Sequence, residues 1–379
     1  MNSRSLVPVS CIQLIFSTAR SRRANGGKRL TSVVLVPSPR MSAAVYVGDG
    51  RIAVEQVPRP EPGTGEVLVE ISECGICGSD LHMVLERYAK PGAILGHEWS
   101  GIVAAAPSGS GWSPGDRVVG NQAPGCGLCR PCRRGRPSVC LNRAPADFAG
   151  YRGAFCQYKT VAAGGLIRIP NSLPTRVAAL AEPTAITLHA LRLADVGPDD
   201  RVLVTGAGPV GLLLVAVMSA QGISNITVSE PSAVRRQQAL DVGATQVVTP
   251  DMLEQPPMTL PVAEPYAVVF ECSGQASAAE AGFGQLDYAG TLVIVGTGFE
   301  PPRINQNRMI ILELEIIGAY NYNDEGFQPA VDLLDTGTLP VDALIEQDNI
   351  PLSEVMASME RLARGEIPSK VMVQPGLSS

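Results

Sequence analysis

The sequence predicts a two-domain protein of the α/β plus β class, in which a doubly wound parallel sheet is inserted into a β-rich region. Two regions of the chain with different hydrophobic patterns support this prediction. From residue 41 to about residue 169, short alternating strands are separated by Gly/Pro turns, a pattern typical of a β-rich domain. From about residue 201 to residue 298, apolar strands alternate with helical segments, a pattern typical of a parallel sheet covered by helices on both faces.

The bulk composition excludes several classes of function. With 379 residues and 45% hydrophobic content, the chain can form two hydrophobic cores. Aromatic residues make up only 4% of it and the net charge is -6, which argues against nucleic-acid binding. No apolar run reaches the roughly 18 residues of a membrane span. We therefore expect neither nucleic acid nor membrane as a partner.

The first forty residues differ from the rest in charge. Residues 1–40 contain seven Arg or Lys and no Asp or Glu, so they form either a mitochondrial transit peptide or an upstream extension before a working start at Met41. We favour the extension and expect a disordered leader, with the protein in the cytoplasm; a transit peptide would direct it to the mitochondrial matrix. A chain that starts at Met41 should fold and be active.

The β-rich region begins with a hairpin. The stretch "MSAAVYVGDGRIAVEQV" from Met41 has its turn at Gly48-Asp49-Gly50, and such a turn between alternating segments favours a hairpin. Later segments, "GEVLVEISECG", "SGIVAAA" and "GDRVVGN", continue the strands. The last segment, "VDALIEQDNIPLSEVMASMERLARGEIPSKVMV", is expected to end in one helix and one strand and to return to the β-rich region.

The sequence "ISECGICGSDLHMVLERYAKPGAILGHEWSG" collects possible metal ligands. It contains Cys74, Cys77, His82, His97 and Glu98, and the chain has only three histidines. The C-x-x-C pair suits either a redox dithiol or a metal site. A catalytic zinc needs three protein ligands and an open position, so these residues are candidates that the spacing alone does not separate.

A second group of cysteines lies within one short segment. In "CGLCRPCRRGRPSVC" the spacing is C-x2-C-x2-C-x7-C, and four thiolates this close favour a closed tetrahedral zinc site that contributes to folding. An iron–sulfur cluster is the main alternative. We expect the intervening arginines to lower the pKa values of the thiols. The predicted ligands are Cys126, Cys129, Cys132 and Cys140.

The segment that follows the β-rich region contains a dinucleotide-binding motif. The glycines of G-x-G-x-x-G lie between the strand "RVLVT" and an apolar helix, the context that makes this motif informative. The first glycine permits the turn, the second lets the backbone approach the pyrophosphate, and the third allows the helix to pack closely on the strand. The turn residues are Gly206, Ala207, Gly208, Pro209, Val210 and Gly211.

An acidic residue follows this motif at the spacing expected for a ribose ligand. Glu230 ends the next predicted strand, where a carboxylate accepts hydrogen bonds from the ribose hydroxyls of NAD and repels the 2′-phosphate of NADP. Arg235 and Arg236 follow and could attract that phosphate, although helix periodicity places at least one of them on the surface. We expect NAD as the cofactor, with NADP less favoured and Arg235 near the cofactor.

Taken together, "GICGSDLH", "GHEWSG", the four-cysteine segment, and "EPTAITLHAL" before "VLVTGAGPVG" resemble the zinc-dependent medium-chain dehydrogenases/reductases of the alcohol dehydrogenase superfamily. Within it, the sorbitol and threonine dehydrogenase branch is the most similar, and the resemblance covers roughly residues 41–373. It implies a GroES-like β-rich catalytic domain with an inserted Rossmann domain. The implied divisions are 1–40 (leader), 41–190 (catalytic), 191–319 (Rossmann) and 320–379 (return to the catalytic domain).

The resemblance also implies roles for individual residues. Cys77 and His97 match the thiolate and imidazole ligands of the catalytic zinc, and Cys74 becomes a packing residue. Ser79 and His82 match the pair that passes the alcohol proton to solvent; otherwise His82 is a surface loop histidine. His189 is expected to be a packed helix residue.

The remaining zinc ligand stays open between two glutamates. In the polyol branch the glutamate after the ligand histidine, here Glu98, coordinates zinc, and the counterpart of Glu182 binds the zinc water or exchanges with it. Classical alcohol dehydrogenases have a cysteine where this chain has Glu182, so the chain resembles them less.

The resemblance implies a dehydrogenase with two zinc ions per chain. It would transfer a hydride from a secondary alcohol or polyol to NAD and give a ketone or aldehyde, with zinc lowering the pKa of the substrate hydroxyl. We expect a homodimer or homotetramer. The alternative is a non-catalytic nucleotide-binding protein of the same fold, which the complete set Cys77, Ser79, His97, Glu98 and Glu182 disfavours.

Overall fold

The computed structural model describes residues 39–120, 125–142, 152–323 and 326–378. The predicted leader lies outside these ranges except for its last two residues. Four 3₁₀ turns join longer elements, at Pro137–Val139, Ala163–Gly165, Pro250–Met252 and Leu352–Glu354.

The β-rich region contains seven strands and three short helices. The strands are β1 (Arg40–Gly48), β2 (Arg51–Pro58), β3 (Glu66–Gly75), β4 (Glu98–Ala105), β5 (Arg117–Gly120), β6 (Tyr158–Ala162) and β7 (Leu166–Arg168). The helices are α1 (Gly78–Leu85), α2 (Arg130–Arg133) and α3 (Thr175–Ala178). β1 and β2 pair as an antiparallel hairpin. The predicted hairpin is confirmed, and its turn residues Gly48, Asp49 and Gly50 all have positive φ, as a tight turn requires.

A parallel sheet with helices follows in sequence. Its strands are β8 (Val202–Thr205), β9 (Ile226–Ser229), β10 (Gln246–Val248), β11 (Tyr266–Glu271), β12 (Leu286–Ile294) and β13 (Glu315–Gly318). The helices are α4 (Ala181–Ala194), which precedes the sheet, α5 (Pro209–Ala220), α6 (Ala233–Asp241), α7 (Ala276–Gly284) and α8 (Gln306–Ile311). The strand order β10-β9-β8-β11-β12-β13 is the 3-2-1-4-5-6 order of the Rossmann fold, and the predicted doubly wound sheet is confirmed.

Helix α5 shows why this sheet forms a separate core. All eight of its residues from 211 to 218 are buried, so the helix is apolar on every side and not only on one face. It packs between the sheet and α4, and these elements share one large buried cluster. The β-rich region has its own cluster around Trp99 and Phe155. The large cluster also contains Val119 of β5 and Met372 near the C-terminus, so the two parts of the chain pack against each other, and their division into domains stays a prediction.

The C-terminal segment returns to the β-rich region. It forms α9 (Phe327–Asp335), α10 (Val341–Leu344), α11 (Val355–Ala363) and β14 (Met372–Val373). Strand β14 pairs antiparallel with β3, with Met372 opposite Gly75 and Val373 opposite Cys74. This pairing confirms the predicted return and places the last strand beside the segment that leads to Cys77.

Among the described residues, no helix has both the length and the apolar character needed to cross a membrane.

Candidate metal and cofactor sites

Cys77 lies where β3 leaves the sheet and α1 begins. It is the N-cap residue of α1, and its backbone N–H donates to Asp80 Oδ2 at 3.0 Å. Asp80 is the third residue of the helix, so the two form a capping box that fixes the start of the helix. The Cys77 thiol is therefore held at the N-terminus of α1.

His97 and Glu98 come from a different part of the chain and meet Cys77 at the same place. They stand at the start of β4, which pairs with β3 so that Glu98 lies opposite Gly75. One ligand atom from each of Cys77, His97 and Glu98 lies within 4.8 Å of the others. Cys74 is fully buried in the β-rich core and is not part of this cluster. Its predicted packing role is confirmed, and the C-x-x-C spacing is not a dithiol site.

Asp80 is a residue of this site that the sequence reasoning missed. It is 2% exposed, and its Oδ1 accepts a hydrogen bond from Gly96 N and lies 3.6 Å from His97 Nδ1. One carboxylate thus connects the loop of Cys77 with the loop of His97. A carboxylate on the second nitrogen of a ligand histidine fixes its ring and tautomer. Its place three residues after Cys77, as in a capping box, was the available signal.

Lys370 is a second missed residue. Its Nζ donates to Glu98 Oε1 at 2.7 Å and to the carbonyl oxygen of Ile76 at 3.2 Å. Burial alone lowers the pKa of Lys370, but Glu98 and Cys77 outweigh it and raise that pKa, so the ammonium stays charged. Lys370 stands 272 residues after Glu98 in the chain, and no local pattern marks it.

The cluster of Cys77, His97 and Glu98 fits a zinc ion. Glu98 is buried, yet its Oε2 has no hydrogen-bond partner among the described residues. A buried, unpartnered carboxylate oxygen costs free energy unless something pairs with it. Burial opposes protonation of His97, but Asp80 and Cys77 raise its pKa well above the usual value, which shows how strongly the surrounding charges favour a cation. Thiolate, imidazole and carboxylate are the ligands of catalytic zinc.

Glu182 stands in the first turn of α4 and outside this three-residue cluster. Burial raises its pKa to about 7; His97 and Lys370 lower it, and Glu98 and Asp80 raise it. These influences place Glu182 in the electrostatic field of the same site. Its service as a zinc ligand, alone or in exchange with Glu98, stays a prediction.

The two residues of the predicted proton path lie on α1. Ser79 Oγ is 3.5 Å from His97 Nε2, beside the ligand cluster. The His82 side chain is 31% exposed, and its Nδ1 lies 2.5 Å from Glu86 Oε1. His82 lies within a helix and not in a loop, and its part in a proton path stays a prediction beside the alternative of a surface residue.

An aromatic contact joins the two domains beside His82. Phe299, from the loop after β12, stacks on Tyr88 with centroids 4.6 Å apart and meets the His82 ring at 5.4 Å. Neither aromatic residue was singled out from the sequence, because their contact forms only when the domains pack together.

The four cysteines of the second group also meet in space. Cys126, Cys129, Cys132 and Cys140 present sulfur atoms within 4.8 Å of one another. The sulfurs of Cys129 and Cys140 are 3.9 Å apart, close to the ~3.8 Å that tetrahedral Zn–S bonds of about 2.3 Å impose. Cys129 caps the single-turn helix α2. Four thiols in this arrangement fit a structural zinc.

The cause of thiol activation in this loop differs from our expectation. The pKa of Cys140 is lowered to about 6 and that of Cys126 is also lowered, and the largest causes are backbone N–H groups of Cys126 for the first and of Leu128 and Cys129 for the second. The predicted role of the arginines is wrong in this respect. Backbone N–H groups of the loop donate to the sulfurs instead, as Cys129 N does to Cys126 Sγ at 3.3 Å and Cys126 N to Cys140 Sγ at 3.4 Å.

The glycine turn has the geometry that its motif predicts. Gly206 has φ of +99°, and a Cβ on it would lie 2.7 Å from Ser273. A Cβ on Gly211 would lie 2.0 Å from the carbonyl oxygen of Gly206, so α5 packs directly on the turn. In contrast, a Cβ on Gly208 would meet nothing within 4 Å. This open space beside the N-terminus of α5, where Pro209 and Val210 begin the helix, fits a pyrophosphate.

Glu230 lies next to this turn. It is 4% exposed, and its two oxygens accept hydrogen bonds from Ala207 N at 2.8 Å and Ser232 N at 2.9 Å. Each carboxylate oxygen can accept a further hydrogen bond, so the side chain is held in place with capacity left for ribose hydroxyls.

The two arginines of α6 are not surface residues, and that expectation is wrong. Both are half-buried. Arg236 donates to the carbonyl oxygens of Glu230 and Pro231, whereas Arg235 donates to the carbonyl of Ile367 in the C-terminal segment. Backbone carbonyls just before the helix and in the C-terminal segment attract the guanidinium groups. Contact of Arg235 with the cofactor stays a prediction.

Comparison with protein families gives two adjacent matches. The family model described as the alcohol dehydrogenase GroES-like domain matches residues 63–171, and the one described as zinc-binding dehydrogenase matches residues 209–336. The first covers β3 to β7 with both groups of cysteines, and the second begins at the helix of the glycine turn.

Among individual relatives, L-threonine 3-dehydrogenase of Stenotrophomonas maltophilia is 39% identical over 204 residues, which are 52% of this chain and 59% of that protein. The chain therefore matches little more than half the length of this relative. A solved zinc-binding dehydrogenase of Sinorhizobium meliloti, described as putative and bound to NADP, has a TM-score of 0.78 and 30% identity and covers 89% of this chain and 100% of its own. Galactitol-1-phosphate dehydrogenase of Escherichia coli has a TM-score of 0.78 and 27% identity over 88% of this chain and 100% of its own.

Proposed function

This chain belongs to the zinc-dependent medium-chain dehydrogenases/reductases of the alcohol dehydrogenase superfamily, and we propose that it oxidises a secondary alcohol or a polyol with NAD. The observation that carries the proposal is the cluster of Cys77, His97 and Glu98, with a buried carboxylate oxygen that lacks a partner. A closed structural site would need a fourth protein ligand, whereas this group leaves a position for a substrate.

Each residue of the cluster has a defined task in this proposal. Cys77, His97 and the free oxygen of Glu98 would hold zinc, and Asp80 orients the imidazole of His97. When bound, zinc supplies a Lewis acid that lowers the pKa of the substrate hydroxyl, and the nicotinamide supplies the hydride acceptor.

Proton removal is assigned to the side chains of α1. Ser79 Oγ lies beside the cluster, and we assign to it the acceptance of the substrate's hydroxyl proton, with His82 on the same helix as the residue that carries the proton onward to solvent. Glu86 accepts a hydrogen bond from His82 Nδ1, so Nε2 is the nitrogen with a free lone pair. The partial exposure of His82 lets the proton reach solvent from there.

The choice of NAD follows from Glu230. Its carboxylate is fixed at the glycine turn by two backbone amides and would lie against the 2′-phosphate of NADP. Both nearby arginines already donate to backbone carbonyls, so neither is free to neutralise that phosphate without leaving its partner. The relative from Sinorhizobium meliloti binds NADP, which makes a direct comparison of both cofactors necessary.

The substrate class is tested by turnover. Purified protein with measured zinc content is incubated with NAD and a panel of polyols, secondary alcohols, L-threonine and primary alcohols, and NADH formation is followed. We expect turnover with at least one polyol or secondary alcohol, loss of it after removal of zinc, and little with primary alcohols. Zinc-loaded, NAD-binding protein that is inactive on the whole panel would contradict the proposal and favour a non-catalytic role.

A further inference from the structure

Lys370 is a buried charged residue that the proposed reaction leaves without a task. Its side chain is 2% exposed and that of its partner Glu98 is 1% exposed. Burying two charges costs more desolvation energy than a simple stabilising role repays, and well-packed apolar residues often serve stability as well. Because the pair of Lys370 and Glu98 lies at the ligand cluster, we look for a functional role and not only a stabilising one.

The two carboxylate oxygens of Glu98 have different surroundings. Oε1 accepts from Lys370 Nζ at 2.7 Å, whereas Oε2 is buried and has no hydrogen-bond partner among the described residues. Only one oxygen is thus left for the cluster with Cys77 and His97. A carboxylate without such a partner can bind a metal through both oxygens.

Gly75 closes the opposite side of the carboxylate. A Cβ on Gly75 would lie 2.3 Å from Glu98 Oε2 and 3.2 Å from Lys370 Cδ. Glu98 therefore occupies a slot between a strand without a side chain and the lysine stem, and the carboxylate has little room to rotate.

The backbone of Lys370 is fixed as firmly as its side chain. Lys370 N donates to Leu344 O at 3.0 Å, and Lys370 O accepts from Glu346 N at 2.9 Å. The preceding residue, Ser369, accepts a hydrogen bond from Gln238 on α6. The ammonium thus reaches Glu98 from a segment that is anchored on both sides.

We propose that Lys370 is a positioning residue that restricts Glu98 to a one-oxygen contact with the metal and so keeps a coordination position open for the substrate. The inference rests on the proposed function, because it needs a catalytic metal at this cluster. Zinc accepts a fifth ligand readily. A carboxylate freed from Lys370 would place its second oxygen in the position that the alcohol must occupy.

The test uses cobalt(II) in place of zinc at this cluster, because its visible ligand-field bands weaken as the coordination number rises. We compare the full-length protein with Lys370→Met, Lys370→Arg and, as a matched control, Lys159→Met, a lysine of the same domain whose ammonium contacts the carbonyl of Arg152. The spectrum of Cys77→Ser serves as the blank for cobalt in the four-cysteine loop.

For Lys370→Met we expect cobalt to stay bound, its bands to weaken, and kcat to fall roughly 10–100-fold, the range seen when a partner of a metal ligand is removed. Lys370→Arg should recover most of the band intensity, because its guanidinium can hold the same oxygen. Lys159→Met should match the unsubstituted protein.

Three outcomes overturn the proposal or its premise separately. Unchanged bands in Lys370→Met would show that the lysine does not restrict Glu98. Loss of cobalt from that variant would show that Lys370 is needed to bind the metal and not to limit the carboxylate. Absence of the bands in the unsubstituted protein would instead refute the metal site of the proposed function.

Gly75→Ala tests the same geometry if Lys370→Met does not fold. Its Cβ takes the place of Glu98 Oε2 and leaves Lys370 intact. We expect cobalt binding at the cluster to weaken about tenfold or more. Unchanged affinity and bands would mean that Oε2 is not the metal-facing oxygen, which overturns the proposal.

Discussion

The two cysteine-containing clusters of this protein are built in opposite ways. Cys126, Cys129, Cys132 and Cys140 come from fifteen consecutive residues, and three of them are only half-buried. Cys77, His97 and Glu98 come from two separate segments, and their supporting residue Lys370 comes from a third. The first cluster depends on a short loop, whereas the second depends on the whole β-rich sheet.

Because the two clusters are built differently, we expect a metal in the four-cysteine loop to affect stability and a metal at the other cluster to affect catalysis. Helix α2 of the four-cysteine loop has no buried residue, so this segment has almost no hydrophobic core of its own. Zinc bound by its four cysteines would hold the segment together and contribute directly to folding. The second cluster is positioned by the pairing of β3 with β4 and by the hydrogen bonds of Asp80. Its ion would add chemistry to a site that the fold already holds.

We expect the largest effect on activity when the thiol of Cys77 is removed from its cluster with His97 and Glu98. We expect Cys77→Ser to lower kcat/KM by roughly 10³-fold or more, because a Lewis acid contributes several kcal/mol to catalysis, while the melting temperature and NAD binding stay near those of the unsubstituted protein. Steady-state kinetics, calorimetry and zinc analysis measure the three quantities.

Cys74→Ser is the matched control for that variant, since Cys74 lies three residues earlier in the chain, on β3, and outside the cluster. It should keep its zinc and its activity. If Cys77→Ser and Cys74→Ser behave alike, the separation of the two cysteines is wrong.

The next effect concerns the loop. We expect Cys132→Ser to lower the melting temperature by several degrees, because structural zinc contributes directly to folding, and to leave one zinc per chain. Leu128→Ser, an exposed substitution in the same loop, should melt like the unsubstituted protein. A Cys132→Ser protein with an unchanged melting temperature would show that the loop does not need its metal.

A smaller effect, on cofactor preference, is expected at the glycine turn. Like the cluster of Cys77, His97 and Glu98, this site contains a buried carboxylate, that of Glu230. We expect Glu230→Ala to narrow the ratio of kcat/KM for NAD over NADP by about tenfold, mainly through relief of repulsion from the 2′-phosphate. Asp241→Ala, at the far end of α6, is the control and should leave the ratio unchanged. Preference for NADP in the unsubstituted protein would refute the argument.

The smallest effect is a pH dependence of stability that arises from His189 on α4. His189 is 4% exposed on α4, and the predicted packing role is confirmed. Burial, followed by the charges of Arg192 and Arg136, lowers its pKa from 6.5 to about 4. The unfolded chain therefore binds this proton more readily, so stability is fully present above pH 6.5 and declines as the pH falls towards about 4.

Thermal unfolding at several pH values, with zinc content checked at each, measures this contribution. His189→Leu should lose less stability than the unsubstituted protein between pH 7 and pH 5. An equal loss in both proteins would show that other groups account for the acid sensitivity.

The sequence by itself determined the features that depend on neighbours along the chain. The first hairpin, the glycine turn with Gly206 and Gly211, and the four-cysteine loop each need only a few adjacent residues with the right conformational freedom or ligand chemistry. The period of the hydrophobic residues and the spacing of glycines and cysteines in the sequence indicate such local requirements directly. The parallel sheet itself also follows from the alternation of strands and helices, whereas the order of its strands is a finding of the structure.

Only the tertiary structure decided what long-range packing controls. That Glu98 joins the cluster while Glu182 stays outside it depends on the register of β3 with β4 and on the position of α4. Lys370 reaches Glu98 because β14 pairs with β3, and Phe299 reaches His82 across the two domains. A single sequence contains no signal for a contact between residues hundreds of positions apart, since neither partner has a local reason to be a lysine or a phenylalanine.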